Sequence, residues 1–269
     1  MCIRDRYIAY LWAGAQDTNT ATSRSVDFDG TDDTLTLAPS DDFHMTGDFT
    51  IEGWFNPDSW PTYAGFWGLG QYNDPGGIFF GVVGSTGKLD MQKANNTGGG
   101  YSTPFSQDAP PLGQWTHVAL VRSGSTITVY YNGTAKGSWT DSTDWGTSTN
   151  KWFNIASVRN GSGNNVDFFN GKVSNFRVVK GTAVYTSSFR PSTEPLTNIT
   201  NTKLLCCNDS STTGSTVTPG TITAVSSPTA SISTPFFDPN SFIFGETMDQ
   251  SMVQCGAVSY THLTLPTKA

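Results

Sequence analysis

Short runs of β-branched and aromatic residues, each closed by a cluster of turn-forming residues, recur along most of this 269-residue chain. Residues 49–55, 78–83, 115–122 and 126–131 are such runs, and segments rich in Gly, Asn, Asp and Ser separate them. No stretch longer than two turns has the apolar spacing of an amphipathic helix. The pattern predicts an all-β protein and favours a two-sheet sandwich, without separating a jelly roll from an immunoglobulin-like arrangement.

The clearest local unit is the segment 114–133, QWTHVALVRSGSTITVYYNG. Residues 123–125, Ser-Gly-Ser, interrupt two strand-like runs, which predicts a β-hairpin with a three-residue loop. Alternation along the second run predicts one buried face with Ile127, Val129 and Tyr131, and one solvated face with Thr126, Thr128 and Tyr130. Asn132 and Gly133 then predict the next tight turn.

The alternation of apolar residues breaks within residues 172–179. Val173 has an odd number, whereas Phe176 and Val178 have even numbers. A β-bulge near residues 174–175 would return all three side chains to one face. We therefore expect an irregular strand there.

Charge and hydropathy restrict the partners of the chain. The formal net charge is −7, so nucleic-acid phosphates and anionic membrane surfaces would be repelled on average. No apolar run approaches the roughly 18 residues that a membrane-spanning helix requires. We expect no nucleic-acid partner and no membrane span.

The cysteines form no disulfide framework or metal-binding pattern. They are Cys2, Cys206, Cys207 and Cys255. The adjacent pair makes an unlikely structural bridge because neighbouring side chains diverge on a strand. We expect reduced, partly buried thiols, with Cys255 as the one candidate for a long-range partner.

The composition changes toward the carboxyl end. Residues 208–236 consist largely of Ser, Thr, Gly and Pro, which predicts an extended linker, with a marginal strand at 221–225 as the alternative. Residues 1–6 (MCIRDR) and 257–269 resemble translated sequencing-adapter read-through, and ordinary frayed termini are the alternative. We expect both end segments to be foreign to the fold.

Four blocks together resemble a laminin G-like domain of the concanavalin A-like lectin/glucanase superfamily. In order they are SVDFDGTDDTLTL, GDFTIEGWFNP, GQWTHVALVRSGSTITVYYNG and FFNGKVSNFRVVKGTAVYTSSFRPSTEPL. The resemblance implies a jelly-roll sandwich of two antiparallel sheets over residues 24–207. It also implies binding on the concave sheet or on the loops of one rim.

The flanking segments carry a second resemblance. Residues 7–23 and 237–256 are similar to pieces of a module found in large tail proteins of marine bacteriophages. That similarity implies a virion tail or extracellular location, other tail proteins as partners and an oligomeric full-length protein. A secreted bacterial lectin or adhesin is the alternative.

The residues needed for glycoside hydrolysis are missing. Glycosidases of this superfamily carry Glu-x-Asp-x-Glu or Glu-x-Asp-x-x-Glu on a strand, because retaining cleavage needs two close carboxylates. The chain has no such motif, and Asp27 and Asp29 flank a turn where solvated carboxylates are common. His117 has no identifiable nucleophile or orienting Asp and is expected to be a packed sheet residue. The sequence therefore favours a non-enzymatic binding module, with a hydrolase as the alternative.

Aromatic residues divide into two groups by their surroundings. Trp54, Trp115 and Trp152 lie in strand patterns and are expected in the core. A second group lies in or beside turn-rich stretches, where aromatic rings and polar neighbours suit stacking on sugars: Trp60, Tyr63, Tyr72, Tyr101, Trp139 and Trp145. These six are the candidate glycan-binding residues, although each alone is more often a loop-packing side chain.

Calcium is the one metal that the sequence makes a candidate, and no cofactor is expected to be required. Laminin G-like domains often hold Ca²⁺ at a rim, which the resemblance transfers to the loop carboxylates Asp29, Asp32, Asp74 and Asp141. Carboxylates are suitable hard ligands, but Asp also favours turns for conformational reasons.

Overall fold

A computed structural model describes residues 24–71, 73–95 and 100–236. The end segments, the two flanking segments, Tyr72, Cys2 and Cys255 lie outside the described residues. Among the described residues, no helix is long and apolar enough to cross a lipid bilayer.

The regular elements of the described residues are β-strands and one 3₁₀ turn at Asp41–Phe43. The first strands are β1 (Ser25–Asp29), β2 (Thr34–Leu37), β3 (Phe49–Ser59), β4 (Tyr63–Leu69), β5 (Ile78–Val83), β6 (Lys88–Ala94), β7 (Tyr101–Asp108), β8 (Thr116–Ser123) and β9 (Thr126–Tyr131). The remainder are β10 (Thr134–Thr140), β11 (Phe153–Ile155), β12 (Val158–Arg159), β13 (Asn165–Val166), β14 (Asn170–Lys180), β15 (Thr202–Cys206), β16 (Ser215–Val217), β17 (Ile222–Val225) and β18 (Thr229–Ser231).

Two antiparallel sheets account for nearly all of these strands. The first sheet has the order β10-β9-β8-β3-β14-β1-β18, with β15 also paired to β14 and β16 paired to β15. The second sheet has the order β17-β2-β11-β4-β5-β6-β7. Strands β12 and β13 form a separate hairpin. The predicted all-β, two-sheet antiparallel jelly-roll sandwich is confirmed.

Apolar side chains of both sheets meet in one core. Phe55 of β3 stacks on Phe66 of β4 with ring centroids 4.2 Å apart, and Phe43 stacks on Phe153 at 4.8 Å. Such offset aromatic pairs stabilise the core beyond the burial of their area. The predicted core residues Ile127, Val129 and Tyr131 of β9 are all buried there.

The predicted hairpin at 114–133 is confirmed, but two details of the prediction were wrong. Ser123 pairs with Thr126, so the loop has two residues, Gly124 and Ser125, rather than three. Gly124 has φ +61, which glycine adopts without strain. Tyr130 is buried on the outer face, because a later segment of the chain covers it.

The predicted bulge in the strand at 172–179 is confirmed. The pairing between β14 and β3 shifts register between Ser174 and Arg177, and Asn175 has φ +50. Val173, Phe176 and Val178 consequently all face the core. One extra residue thus restores a common buried face.

Two of the three tryptophans expected in the core lie at its margin. Trp54 is buried, but against His117 and Phe236 rather than in the cluster between the sheets, and Trp115 and Trp152 are only half-buried. Each of the latter two precedes a strand, β8 and β11 respectively, and therefore lies at the end of its sheet. The strand pattern around them was correct, but the position within the strand was not.

The extended linker predicted for residues 208–236 is not observed, and the alternative, a strand near 221–225, is confirmed as β17. Strand β17 pairs with β2 of the second sheet, and β18 pairs with β1 of the first. Ile222 and Phe236 are buried. Sheet edges supply hydrogen-bonding partners for the backbone, so a segment with few apolar side chains can still be ordered.

Both described cysteines are free and buried. Cys206 ends β15, and Cys207 has φ +57. Burial raises the pKa of the Cys206 thiol, which keeps it protonated and poorly reactive.

Candidate functional site

The ends of the strands form two opposite rims of the sandwich. At the first rim, the register aligns Leu69, Ile78, Lys93 and Ser102 across the second sheet, and Phe49, Arg122, Ile127 and Trp139 across the first. At the second rim, it aligns Asp29, Asn170 and Ser59. These rims are where loops, and therefore candidate ligand contacts, are concentrated.

A groove of about 270 Å³ opens at the first rim, between the edge strand β10 of the first sheet and strands β6 and β7 of the second. We call it the rim groove. Its polar and aromatic lining consists of Lys93, Asn95, Ser102, Trp139, Thr140 and Asp141. An aromatic ring beside amide, hydroxyl and charged groups is the usual lining of a small polar-ligand site.

Trp139 forms the apolar wall of the rim groove. Its ring packs against Phe105 of β7 with centroids 6.0 Å apart. Gly137 allows this approach, because a Cβ there would lie 3.2 Å from the Phe105 ring. The indole Nε1 of Trp139 is buried and has no hydrogen-bond partner among the described residues. A buried, unpaired donor is unfavourable and would gain from a ligand acceptor.

An ion pair forms the floor of the rim groove and joins the two sheets. Lys93 Nζ lies 2.7 Å from Asp141 Oδ2, and both side chains are only 12% exposed. Asp141 also accepts hydrogen bonds from the backbone N–H of Thr143 and from the indole of Trp145. Burial opposes ionisation, but these donors outweigh it and lower the pKa of Asp141 to about 2. The floor is therefore rigid and close to electrically neutral.

The five predicted glycan-binding aromatics that the structure describes do not converge on one surface. Trp139 lines the rim groove. Tyr101, 54% exposed, precedes the groove residue Ser102 but does not line the groove. Trp60 packs against Phe66 near the second rim, where Tyr63 begins β4 and is 45% exposed.

The structure rules out Trp145 as a ligand contact. Its side chain is fully buried and its ring packs 4.9 Å from that of Phe49. Turn-rich neighbours suggested an exposed loop residue, but the segment folds inward and forms a backbone bridge with Met45. Trp145 is a core residue, and its indole N–H is satisfied by Asp141.

Carboxylates cluster at the second rim. Single oxygens of Asp29, Asp32 and Asp33 all lie within 4.8 Å of one another, and we call this group the aspartate cluster. It borders a cleft of about 720 Å³ that also includes Asp27 and Asp58. Lys172 Nζ lies 3.2 Å from Asp27 and 3.3 Å from Asp58, which offsets part of this negative charge.

The aspartate cluster fits a calcium ion in the type and charge of its oxygen donors. Asp33 accepts backbone N–H groups of Asp29 and Ser227, so its orientation is fixed by the fold. One oxygen of Asp29 accepts from the Thr31 N–H, while Asp32 extends into solvent. Asp29 and Asp32, with Asp33, are therefore the residues that would hold such an ion.

The other two predicted calcium ligands lie elsewhere. Asp141 belongs to the rim groove and pairs with Lys93. Asp74 accepts hydrogen bonds from Asn150 and Ser148 near the first rim. Among the described residues, neither joins a group of carboxylates that could share an ion. Their turn positions have a conformational explanation that needs no ion.

His117 is a buried, hydrogen-bonded sheet residue, as expected, and its partner is Glu52. The His117 ring Nε2 lies 3.0 Å from Glu52 Oε2. Arg177 donates two hydrogen bonds to Glu52 Oε1, and the Tyr185 hydroxyl donates to Oε2 at 2.9 Å. We call these four residues the Glu52 cluster.

The Glu52 cluster is internal and structural rather than a reaction centre. Tyr185 and Phe189 stack with centroids 3.5 Å apart and cover the cluster on the outer face of the first sheet. Burial raises the pKa of the Tyr185 hydroxyl, as does the adjacent Glu52 carboxylate, so it remains a donor. The sequence signal for this cluster was a single acidic residue, Glu52, within an otherwise apolar strand.

A family model described as the Concanavalin A-like lectin/glucanases superfamily, that of a laminin G domain, matches residues 29–184. The chain belongs to this superfamily. The match includes the rim groove, the aspartate cluster and most of both sheets. No curated protein matches the chain in sequence.

Solved structures similar to this chain include a heptameric SAP-like pentraxin from Limulus polyphemus. It has a TM-score of 0.52 and 17% identity, over 80% of this chain and 97% of that one. A provisionally named carbohydrate binding protein from Bacteroides ovatus has a TM-score of 0.50 and 17% identity, over 80% of this chain and 62% of that one. A third structure is domain 4 of an extracellular arabinanase from Geobacillus stearothermophilus, in complex with arabinotriose. It has a TM-score of 0.48 and 20% identity, over 60% of this chain and 72% of that one. At these identities the likeness to the pentraxin and to the Bacteroides protein shows the fold alone.

Proposed function

We propose that the chain is a non-enzymatic binding module that recognises a glycan or a glycosylated cell surface through the rim groove. The observation that carries the proposal is the pairing of Trp139 with polar groups on a rigid floor. The wall offers an apolar ring with an unpaired indole N–H, and Asn95 and Ser102 offer amide and hydroxyl groups. Sugar rings present apolar faces and hydroxyls together, which such a surface complements.

Neither Glu52 nor Asp141 is placed to act as a catalytic carboxylate. A retaining glycosidase needs a carboxylate nucleophile and a carboxylic acid about 5 Å apart at the substrate. Glu52 is buried beneath Tyr185 and tied to Arg177, and Asp141 is paired with Lys93. The rival proposal is a hydrolase of the same superfamily, which turnover of a labelled glycan would establish.

We place the module in a multivalent setting, as part of a virion tail or an extracellular surface protein. The resemblance of residues 7–23 and 237–256 to phage tail modules supports the first setting. Weak contacts per domain would then be multiplied by the number of copies. Tail and capsid genes beside the coding sequence would favour the virion, whereas a secretion signal in the complete reading frame would favour a bacterial adhesin.

We also propose that the aspartate cluster holds calcium when the ion is present. The ion would neutralise the negative charge at the second rim and tie the turn after β1 to the segment before β18. The cluster lies at the opposite rim from the rim groove, so calcium would stabilise the fold without contacting the glycan there.

A glycan array tests the proposed function. The full chain is applied first, and the affinity for the strongest-binding glycan is then measured for two variants. Trp139→Phe keeps the packing against Phe105 but removes the indole N–H, and we expect affinity to fall at least about fivefold. Trp115→Phe is the matched control, because Trp115 is half-buried near the second rim, and we expect no change.

Two results would contradict the proposal. If no array glycan binds the parent protein, the chain is better regarded as a structural spacer. If a glycan binds and both Trp139→Phe and Asn95→Ala retain the parent affinity, the ligand site lies outside the rim groove.

A further inference from the structure

Arg159 is a half-buried cation for which the fold supplies no counter-ion. It ends β12, in the hairpin that also contains β13. Among the described residues, none of the ion pairs includes Arg159. Burial lowers the pKa of its guanidinium, and no carboxylate offsets that effect. A cation partly removed from water without a partner is unfavourable for folding, so its retention needs another explanation.

The guanidinium is held in a defined orientation. It lies over the ring of Trp152, with its central carbon 3.8 Å from the ring centroid. Nη1 donates a hydrogen bond to the Gly163 carbonyl at 3.1 Å. A stacking contact on one face and an anchored Nη1 leave the plane of the group little freedom.

The opposite edge of the same guanidinium is unused. Nε is buried without a hydrogen-bond partner, and Nη2 makes no hydrogen bond to any residue that the structure describes. The N–H groups of Nε and Nη2 project side by side, and their spacing matches the two oxygens of a carboxylate or sulfate. This pre-oriented, unpaired edge is the geometry of a bidentate oxyanion site.

The Gln71 carboxamide lies on the Nη1 side of the Arg159 guanidinium, beside Gly163. Gln71, beyond the end of β4, forms a backbone bridge with Arg159, and a Cβ on Gly163 would lie 3.0 Å from the Gln71 amide nitrogen. A Cβ on Gly161 would lie 1.8 Å from the amide nitrogen of Asn73. The glycines at the hairpin tip thus allow the neutral carboxamides of Gln71 and Asn73 to pack closely against the hairpin.

We infer that Arg159, stacked on Trp152 and flanked by Gln71, forms a subsite for an oxyanion, the carboxylate or sulfate group of an acidic glycan. The inference rests on the proposed function and specifies it, because it names the chemical class of the ligand. Gln71, which bridges to Arg159, follows β4 at the first rim, and the backbone of β4 lies two strands, or about 10 Å, from that of β6.

Nuclear magnetic resonance on the full chain tests the subsite with simple probes. Sodium glucuronate, sodium sulfate and glucose are titrated separately at constant ionic strength, and the Nε–Hε signal of Arg159 is followed. We expect saturable shifts with glucuronate or sulfate, with a dissociation constant in about the millimolar range, and no shift with glucose. The stronger of the two anions identifies whether the site prefers a carboxylate or a sulfate.

Two substitutions that each remove one positive charge provide the comparison. Arg159→Gln should weaken binding of the stronger anion at least about tenfold, because two charge-assisted hydrogen bonds are lost. Arg190→Gln removes the charge of an exposed arginine and should leave binding unchanged. Thermal unfolding of both variants verifies that they remain folded at the titration temperature.

The inference is overturned if neither anion shifts the Arg159 signal, if glucose shifts it equally, or if Arg159→Gln binds as the parent does. These outcomes are distinct from failure of the proposed function. Array binding that depends on Trp139 but not on Arg159 would refute the subsite alone. Anion binding at Arg159 in a protein that binds no array glycan would refute the glycan function and leave an oxyanion site.

Discussion

Replacing Glu52 by Gln should destabilise the protein strongly, because the Glu52 carboxylate neutralises a buried arginine. Glu52 is almost fully buried and accepts hydrogen bonds from Arg177 at 2.9 and 2.6 Å. Tyr185 and His117 contact its second oxygen. The amide of Gln carries no charge and turns a donor toward these groups, so Arg177 is left buried without a counter-ion.

The expected loss can be stated from the geometry of the Glu52 cluster. Removing one partner of a buried ion pair costs about 3–5 kcal/mol. For a domain of this size, each kcal/mol lowers the melting temperature by about 2–4 °C, so we expect a decrease of about 6–20 °C. Tyr185→Phe removes a single hydrogen bond to the carboxylate and should cost about 1.5–3 kcal/mol.

The same cluster predicts a pH dependence of stability. Burial alone would raise the pKa of the Glu52 carboxyl, but His117 and Arg177 outweigh burial and hold it below its ordinary value of 4.5. A carboxyl whose pKa is depressed by folding stabilises the native state above its unfolded pKa. The stabilisation is therefore complete at neutral pH and is lost as the pH falls from about 4.5 through the folded-state value.

Urea denaturation at several pH values measures both effects. The free energy of unfolding of the parent and of Glu52→Gln should differ most at neutral pH and converge in acid. Glu194→Gln is the matched control, because Glu194 is exposed, and its free energy of unfolding should match that of the parent within about 0.5 kcal/mol. A difference below about 1 kcal/mol between Glu52→Gln and the parent at neutral pH would refute the reasoning.

The fold predicts three further results. Ile222→Ala should lower the free energy of unfolding by about 2–4 kcal/mol, because Ile222 of β17 is buried. Ile232 is 80% exposed, so Ile232→Ala should have no measurable effect. Equal effects would mean that β17 is not part of the sheet. Gly133→Ala should lower the free energy of unfolding by more than about 2 kcal/mol, since the new Cβ would lie 1.7 Å from the Phe189 carbonyl oxygen. A Cβ at Gly124 would meet no atom within 4 Å, so Gly124→Ala should lower it by only about 1 kcal/mol. Calcium at a hundredfold excess over its dissociation constant should stabilise the fold by about 2.7 kcal/mol and so raise its melting temperature. A chelator should reverse the shift. An unchanged melting temperature at millimolar calcium would show that the aspartate cluster binds no ion.

Strand periodicity predicted the sandwich because it depends on local rules. Alternation of side chains along a strand reports directly which face is buried, and this identified the inward side chains of β9. The same rule located the bulge in β14, since only an extra residue reconciles Val173 with Phe176. Turn chemistry placed the tight turn at Asn132 and Gly133, which have φ +46 and +75.

Predictions from composition failed where the tertiary environment decided the outcome. Residues 208–236 contain few apolar side chains, yet the open edges of β1 and β2 accept β18 and β17 through backbone hydrogen bonds. Such hydrogen bonds do not depend on side-chain identity, so the sequence carries little trace of them. Tyr130 and Trp145 became buried for a related reason, because distant segments cover them.

The sequence by itself determined the class of fold, the alternation of buried and exposed faces and the positions of several turns, because neighbouring residues set all three. Only the tertiary structure decided which polar side chains meet. Lys93 and Asp141 form the floor of the rim groove from different sheets, and Glu52 meets Arg177 across 125 residues of chain. Contacts of this range follow from the register and order of the strands, and neither is encoded within a single strand or turn.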